Sequence, residues 1–131
     1  MLYEWTKIIP QRNSYSSSGY WDHVCIWDKG PFSTLPLIVL VNSDTASAAE
    51  IVTAALQQNN RAKVIGEKTF GKGVSGSFFE LGDGSAMDLT IAKWFTPKGD
   101  WVGGTGITPD VSIEDDLKNG EDTILKKALM L

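Results

Sequence analysis

The stretch that decides the fold begins Leu35-Pro36-Leu37-Ile38-Val39-Leu40-Val41-Asn42 and continues Ser43-Asp44-Thr45-Ala46-Ser47-Ala48-Ala49-Glu50-Ile51-Val52-Thr53-Ala54-Ala55-Leu56-Gln57-Gln58. Leu35 through Asn42 is a nearly unbroken apolar run rich in branched side chains. It predicts a central strand buried on both faces, as in a parallel sheet covered by helices. Asn42 through Thr45 reads as a polar turn. From Ala46 onward, Ala48, Ile51, Val52, Ala55 and Leu56 recur at helical spacing, with Asp44 or Thr45 as the expected N-cap. Asn59-Asn60 ends that helix, and Ala62-Lys63-Val64-Ile65-Gly66 resumes a strand. Strand, helix, strand is a βαβ unit, and such crossovers are nearly always right-handed. The expected fold class is therefore α/β.

Working outward, residues 2–9 read as a strand, 10–19 as a turn-rich loop and 20–28 as a second strand. Together, 1–34 predict a hairpin or flap. Downstream, Gly71-Lys72-Gly73 is a glycine turn between strand-like runs, and Val74–Leu81 reads as a strand. Gly82-Asp83-Gly84-Ser85 signals a hairpin. In the paired run Ala86–Phe95, Met87, Leu89 and Ile91 alternate against Asp88, Thr90 and Ala92. Thr96–Asp100 is a turn and Val111-Ser112-Ile113 a short strand. Residues 121–130 predict an amphipathic helix with Ile124, Leu125, Ala128 and Leu129 on one face. There is no internal repeat.

The chain has 131 residues, 42% apolar and 21% charged, which fits one globular domain. Its net charge of −4 comes without any Lys/Arg cluster, so the electrostatic footprint of a nucleic-acid binder is missing. The single cysteine, Cys25, excludes an internal disulfide and reads as a small apolar filler. No apolar run reaches the roughly 18–20 residues of a membrane span. The start lacks the pattern of a signal peptide.

Two side chains carry the chemical interest. Ser47 falls at a helix start, where backbone N–H groups are unpaired and the helix dipole favours negative charge. A serine hydroxyl there could attack a carbonyl whose oxyanion the Ala48 N–H receives. Lys72 could be the base if its amine is kept neutral. A free lysine titrates near ~10.4, and burial can lower that by up to roughly 3–5 units. Gly71 and Gly73 would turn the amine inward, with Phe70 and Val74 as an apolar wall. Each segment also has a plainer reading: Ser47 as a capping or first-turn serine, and Lys72 as an exposed lysine in a glycine turn. His23, the only histidine, offers a competing Ser47-His23 hydrolase. Gly71-Lys72-Gly73 lacks the GxxxxGK[ST] pattern of a phosphate loop. Gly103-Gly104-Thr105-Gly106 precedes no helix and reads as a loop. No Cys/His cluster suggests a metal. Asp22, Asp28, Glu114, Asp115 and Asp116 read as solvated surface charges.

Several ordered motifs agree with one family. They are Leu37–Asn42, Thr45-Ala46-Ser47-Ala48-Ala49-Glu50-Ile51-Val52, Thr69-Phe70-Gly71-Lys72-Gly73, Leu81-Asp83-Gly84-Ser85, Leu89-Thr90, Thr96-Pro97 and Gly106-Ile107-Pro109-Asp110. Over residues 35–113 the chain resembles the C-terminal processing (tail-specific) peptidases of the S41 serine peptidase family. The resemblance implies a ClpP/crotonase-like core of βαβ units, with additional antiparallel hairpin strands and a C-terminal helix. It implies a serine endopeptidase with Ser47 as nucleophile, Lys72 as general base and Ala48 N–H as an oxyanion donor. Glu50, Gly71, Gly73 and Ser75 would support the site. Protein or peptide substrates are implied, no cofactor is, and the expected location is outside the cytoplasm.

The chain departs from that pattern in two places. The glutamine usual four residues after the lysine is Gly76 here. Neither the upstream Asn-Pro-Gly-Gly motif, which supplies the second oxyanion donor, nor a PDZ domain is present. These departures predict the C-terminal portion of a larger catalytic domain, weak or inactive alone, with an unpaired sheet edge open to self-association. They also keep open a non-catalytic ligand- or peptide-binding module on the same fold.

Overall fold

The computed structural model describes residues 6–13, 21–26, 34–114, 116 and 120–131. Residues 14–19 of the loop expected over 10–19, Asp28 and Asp115 lie outside the described residues, as do the side chains of Asp22, His23 and Cys25.

Among the described residues, seven strands and two helices follow in the order β1 (Thr6–Asn13), β2 (Trp21–Ile26), β3 (Ile38–Val41), α1 (Ala48–Gln58), β4 (Lys63–Gly66), β5 (Val74–Glu80), β6 (Ala86–Trp94), β7 (Val111–Ser112) and α2 (Thr123–Ala128). They make two sheets. One is antiparallel, in the order β2-β1-β6-β5; the other is parallel, in the order β3-β4-β7. The α/β class stands, and β3-α1-β4 is the expected βαβ unit, with Ile38 opposite Lys63 and Val41 opposite Gly66. β1 continues to Asn13, past the strand end expected at residue 9.

The centre of the parallel sheet is β4, whose Val64 and Ile65 are 0% exposed. Each contributes on the order of 1.5–3 kcal/mol by leaving water. β3, expected to be central, is an edge strand, and Leu37, Ile38 and Leu40 remain exposed. A pleated strand sends alternate side chains to opposite faces, and in β3 only Val41 is fully buried. α2 packs on β3 and β4, but its face is narrower than expected: Ile124 is buried, whereas Leu125 and Leu129 are exposed.

The β5–β6 hairpin forms as expected, with its tight turn closed by Leu81 N–H to Ser85 O (2.8 Å) and Gly84 N–H to Leu81 O (3.0 Å). Along β6 the alternation does not separate a buried face from an exposed one: residues 86–90 are all exposed. Met87 and Leu89 are exposed, while Ala92 and Trp94 are buried. The register shifts between Ser75 and Gly76, so no single face can run the length of the hairpin. Trp94 packs with Ala54, Val102 and Ile107, with Ile51 against them. This cluster fastens α1 to β6 and to the loop at 101–107. Small residues on the inner side of α1 (Thr53, Ala54, Ala55) let that loop approach closely.

Candidate active site

The turn from β3 into α1 is built by side chains bonding to local backbone. Asn42 Oδ1 accepts from Asp44 N–H (3.2 Å) and from Thr45 Oγ1 (3.2 Å), and Thr45 Oγ1 accepts from Asn42 N–H (3.0 Å). Thr45 is thus spent inside the turn, and the N-cap is Ser47, not Asp44 or Thr45. Ser47 has φ 56° and ψ −119°, a region that L-residues other than glycine avoid. Holding a serine there costs about 1–3 kcal/mol, and such strain persists only where surrounding structure enforces it. It presents Ser47 on the shoulder of α1, beside the exposed Ala48 and Ala49. The Ala48 N–H, first in the helix, meets no acceptor among the described residues.

What enforces the strain is Glu50, one turn into α1 and 0% exposed. Its Oε2 accepts from Ser47 N–H (2.9 Å) and Lys72 N–H (2.8 Å); its Oε1 accepts from Thr69 Oγ1 (2.6 Å) and Gly71 N–H (2.7 Å). Four donors on two oxygens leave no buried lone pair of consequence unmet. Thr69 Oγ1 in turn accepts from Ile107 N–H (2.7 Å), and Phe70 N–H donates to Thr45 O (2.9 Å). Ser47 and Lys72, distant in sequence, are thereby fixed to one carboxylate.

The two glycines flanking Lys72 serve a purpose different from the one expected. A Cβ on Gly71, whose φ is 89°, would lie 2.7 Å from Gly106 N and 2.9 Å from Val102 O; one on Gly73 would lie 2.5 Å from Gly103 N. They let the 101–106 loop close on the backbone. They do not turn the amine inward, since Lys72 is exposed and Phe70 is 64% exposed. Of the apolar wall expected around the amine, Phe70 is exposed and Val74 half-buried. Ser75 is exposed on β5 opposite Ala92. The space a side chain at Gly76 would enter is taken by Asp88, whose Oδ1 would be 2.5 Å from a Cβ there.

Sequence reasoning placed Glu50 only among supporting residues and missed Thr69. Ser47-Ala48-Ala49-Glu50 has the S-x-x-E form of a capping box, a signal for Glu50 reaching back to the Ser47 N–H. Nothing local marks Thr69, because both its partners are far away in the chain. Among the described residues β2, which carries His23, pairs with β1 in the antiparallel sheet.

The family model for peptidase family S41 matches residues 7–113. The chain belongs to this family. It is similar to a carboxyl-terminal-processing protease of Picosynechococcus sp., 54% identical over 80 residues covering 61% of this chain and 19% of that protein. It is 51% identical over 81 residues to the carboxy-terminal processing protease of Bacillus subtilis, covering 62% of this chain and 17% of that one. Among solved structures, the photosystem II D1 C-terminal processing protease matches with a TM-score of 0.71 and 36% identity, over 87% of this chain and 29% of that one. A peptidase fold from Parabacteroides merdae gives a TM-score of 0.74 at 21% identity, over 98% of this chain and 43% of that one, a likeness of fold alone. The chain thus spans about a fifth of the length of the curated relatives it matches.

Proposed function

We propose that this chain carries the nucleophile and base of a serine endopeptidase that cleaves unfolded or tail-exposed proteins. The observation that carries the reading is the shared carboxylate: Glu50 holds the strained Ser47 and the Lys72 peptide at once. In this mechanism Ser47 Oγ attacks the scissile carbonyl while its proton passes to the neutral Lys72 amine. The oxyanion forms against the unpaired Ala48 N–H at the positive end of α1. The resulting ammonium returns the proton to the leaving amine as the C–N bond breaks, giving an acyl-serine and a free amino terminus. Lys72 then deprotonates a water, which attacks the ester, and the proton goes back to Ser47 as the new carboxyl terminus leaves.

Because Lys72 is exposed here, the desolvation a neutral amine needs would come from the bound substrate or from polypeptide outside this chain. Residues 35–113 would form a ClpP/crotonase-like core within the C-terminal portion of a larger catalytic domain, acting outside the cytoplasm. The isolated chain would be weak or inactive, and the exposed β3 edge would let it self-associate. A sedimentation series showing a monomer at every concentration would remove that last element.

The test of the main reading is cleavage of an unfolded protein by the intact polypeptide carrying this chain, beside Ser47→Ala and Lys72→Ala. Cleavage by the unaltered protein alone supports it; undiminished cleavage by Lys72→Ala overturns it. The exposed Lys72 and the Asp88-occupied space at Gly76 favour a second reading, a non-catalytic peptide- or ligand-binding module. Binding unaffected by Ser47→Ala, with no cleavage by any form, would select it.

A further inference from the structure

Three consecutive carbonyls around the lysine are each held from outside the turn. Gly71 O accepts from Gly104 N–H (2.9 Å), Lys72 O from the Trp94 indole Nε1–H (2.9 Å), and Gly73 O from the Trp101 indole Nε1–H (3.0 Å). Gly73 O also accepts from Trp94 N–H (3.2 Å). With the Gly71 and Lys72 N–H groups on Glu50, the Lys72 peptide is bonded on both sides.

Neither tryptophan is held merely by chance packing. Trp94 is 4% exposed, its ring in the cluster with Ala54 on α1, so its N–H is aimed from the same core that seats the Ser47 helix. Trp101 lies flat on Gly103, where a Cβ would overlap the ring at 2.1 Å, and its indole nitrogen would be 2.6 Å from a Cβ on Gly73. Lys93 Nζ sits 4.6 Å from its ring centroid, a modest further attraction on the indole. The glycines at 73 and 103 are thus the space that lets this indole reach the backbone.

We infer that Trp94 and Trp101 are positioning residues for Lys72, their two indole N–H groups fixing the peptide that carries the base. This rests on the Ser47–Lys72 reading above. A base set on a flexible turn loses its aim, and a displacement near 1 Å can cost up to about a hundredfold in rate. Phenylalanine keeps most of the ring volume and deletes only the donor, so it isolates the hydrogen bond from the packing.

The experiment compares the intact polypeptide with Trp94→Phe, Trp101→Phe and Gly103→Ala, alongside Lys72→Ala. The readouts are kcat and KM on an unfolded protein substrate, the pH profile of kcat/KM, and the thermal midpoint. Each donor deletion is expected to lower kcat about tenfold with KM within about twofold. The acid limb of the profile should move in these variants, a change that a purely structural loss would not produce. Gly103→Ala displaces the indole without altering Trp101 itself and should reproduce the Trp101→Phe result. Trp101 is 44% exposed, so its variant carries the test even if Trp94→Phe fails to fold. An inert Lys72→Ala together with unchanged kcat and an unmoved limb in the phenylalanine variants overturns this inference and leaves the dyad standing. So does a loss of activity that only tracks the unfolded fraction, with the limb in place. An active Lys72→Ala overturns the dyad itself, and the positioning role with it.

Discussion

Ser47 and Lys72 hang from a single oxygen: the backbone N–H of each donates to Glu50 Oε2, at 2.9 and 2.8 Å. Whatever shifts that oxygen shifts both. Glu50→Gln replaces one acceptor oxygen by an NH₂ group that faces two N–H donors. The cost expected from leaving those buried donors unmet is on the order of 3 kcal/mol. Urea unfolding of the intact polypeptide should show the midpoint falling, and cleavage should fall by more than the folded fraction explains.

The strained serine gives an opposite signature. Ser47→Gly relieves a positive φ that glycine adopts freely. The expected result is loss of cleavage together with a gain of about 1 kcal/mol in stability. A loss of both would mean that the Ser47 side chain contributes structurally and that the strain is not set aside for function.

Thr69 is buried, and its hydroxyl relays between Glu50 and the 101–107 loop. Thr69→Val keeps the shape and deletes the relay, leaving the Ile107 N–H without an acceptor. A destabilisation of about 1–3 kcal/mol is expected, with Thr69→Ser recovering most of it. Equal stability of the valine and serine variants would rule the relay out.

Asp83 at the tip of the β5–β6 hairpin is held below the ordinary carboxylate value of 3.8 by the Ser85 hydroxyl (2.6 Å) first and by the Ser85 N–H (3.0 Å) second. A depressed folded-state value means that its contribution to the turn is present above the unfolded value and is lost as the pH falls through the lowered one. An NMR titration should place the Asp83 midpoint below 3.8, and Ser85→Ala should raise it.

Much of this was legible in the residues themselves. The βαβ unit follows from the period of Leu35–Gly66, and the hairpin from Gly82–Ser85, because both signals are local. The place of β3 at the edge was not legible. An apolar run says that a strand can be buried on two faces, but not which neighbours arrive to bury it. The irregularity at Ser75–Gly76 was not legible either, because it is a property of the pair of strands and not of either alone. Glycine at 71 and 73 reads as freedom of the chain, when its structural reason is the approach of residues some thirty positions later.

That order along the chain has a consequence during synthesis. Trp94, Trp101, Gly104 and Ile107, which together grip the lysine turn and its relay, are all translated after Lys72. At about 5–20 residues per second, the turn leaves the ribosome seconds before those four residues can reach it. Until then the N–H side of the turn can meet Glu50, made earlier, while the carbonyls of Gly71, Lys72 and Gly73 wait for their donors. The grip on the lysine turn is thus completed from downstream, by residues 22 to 35 positions later in the chain.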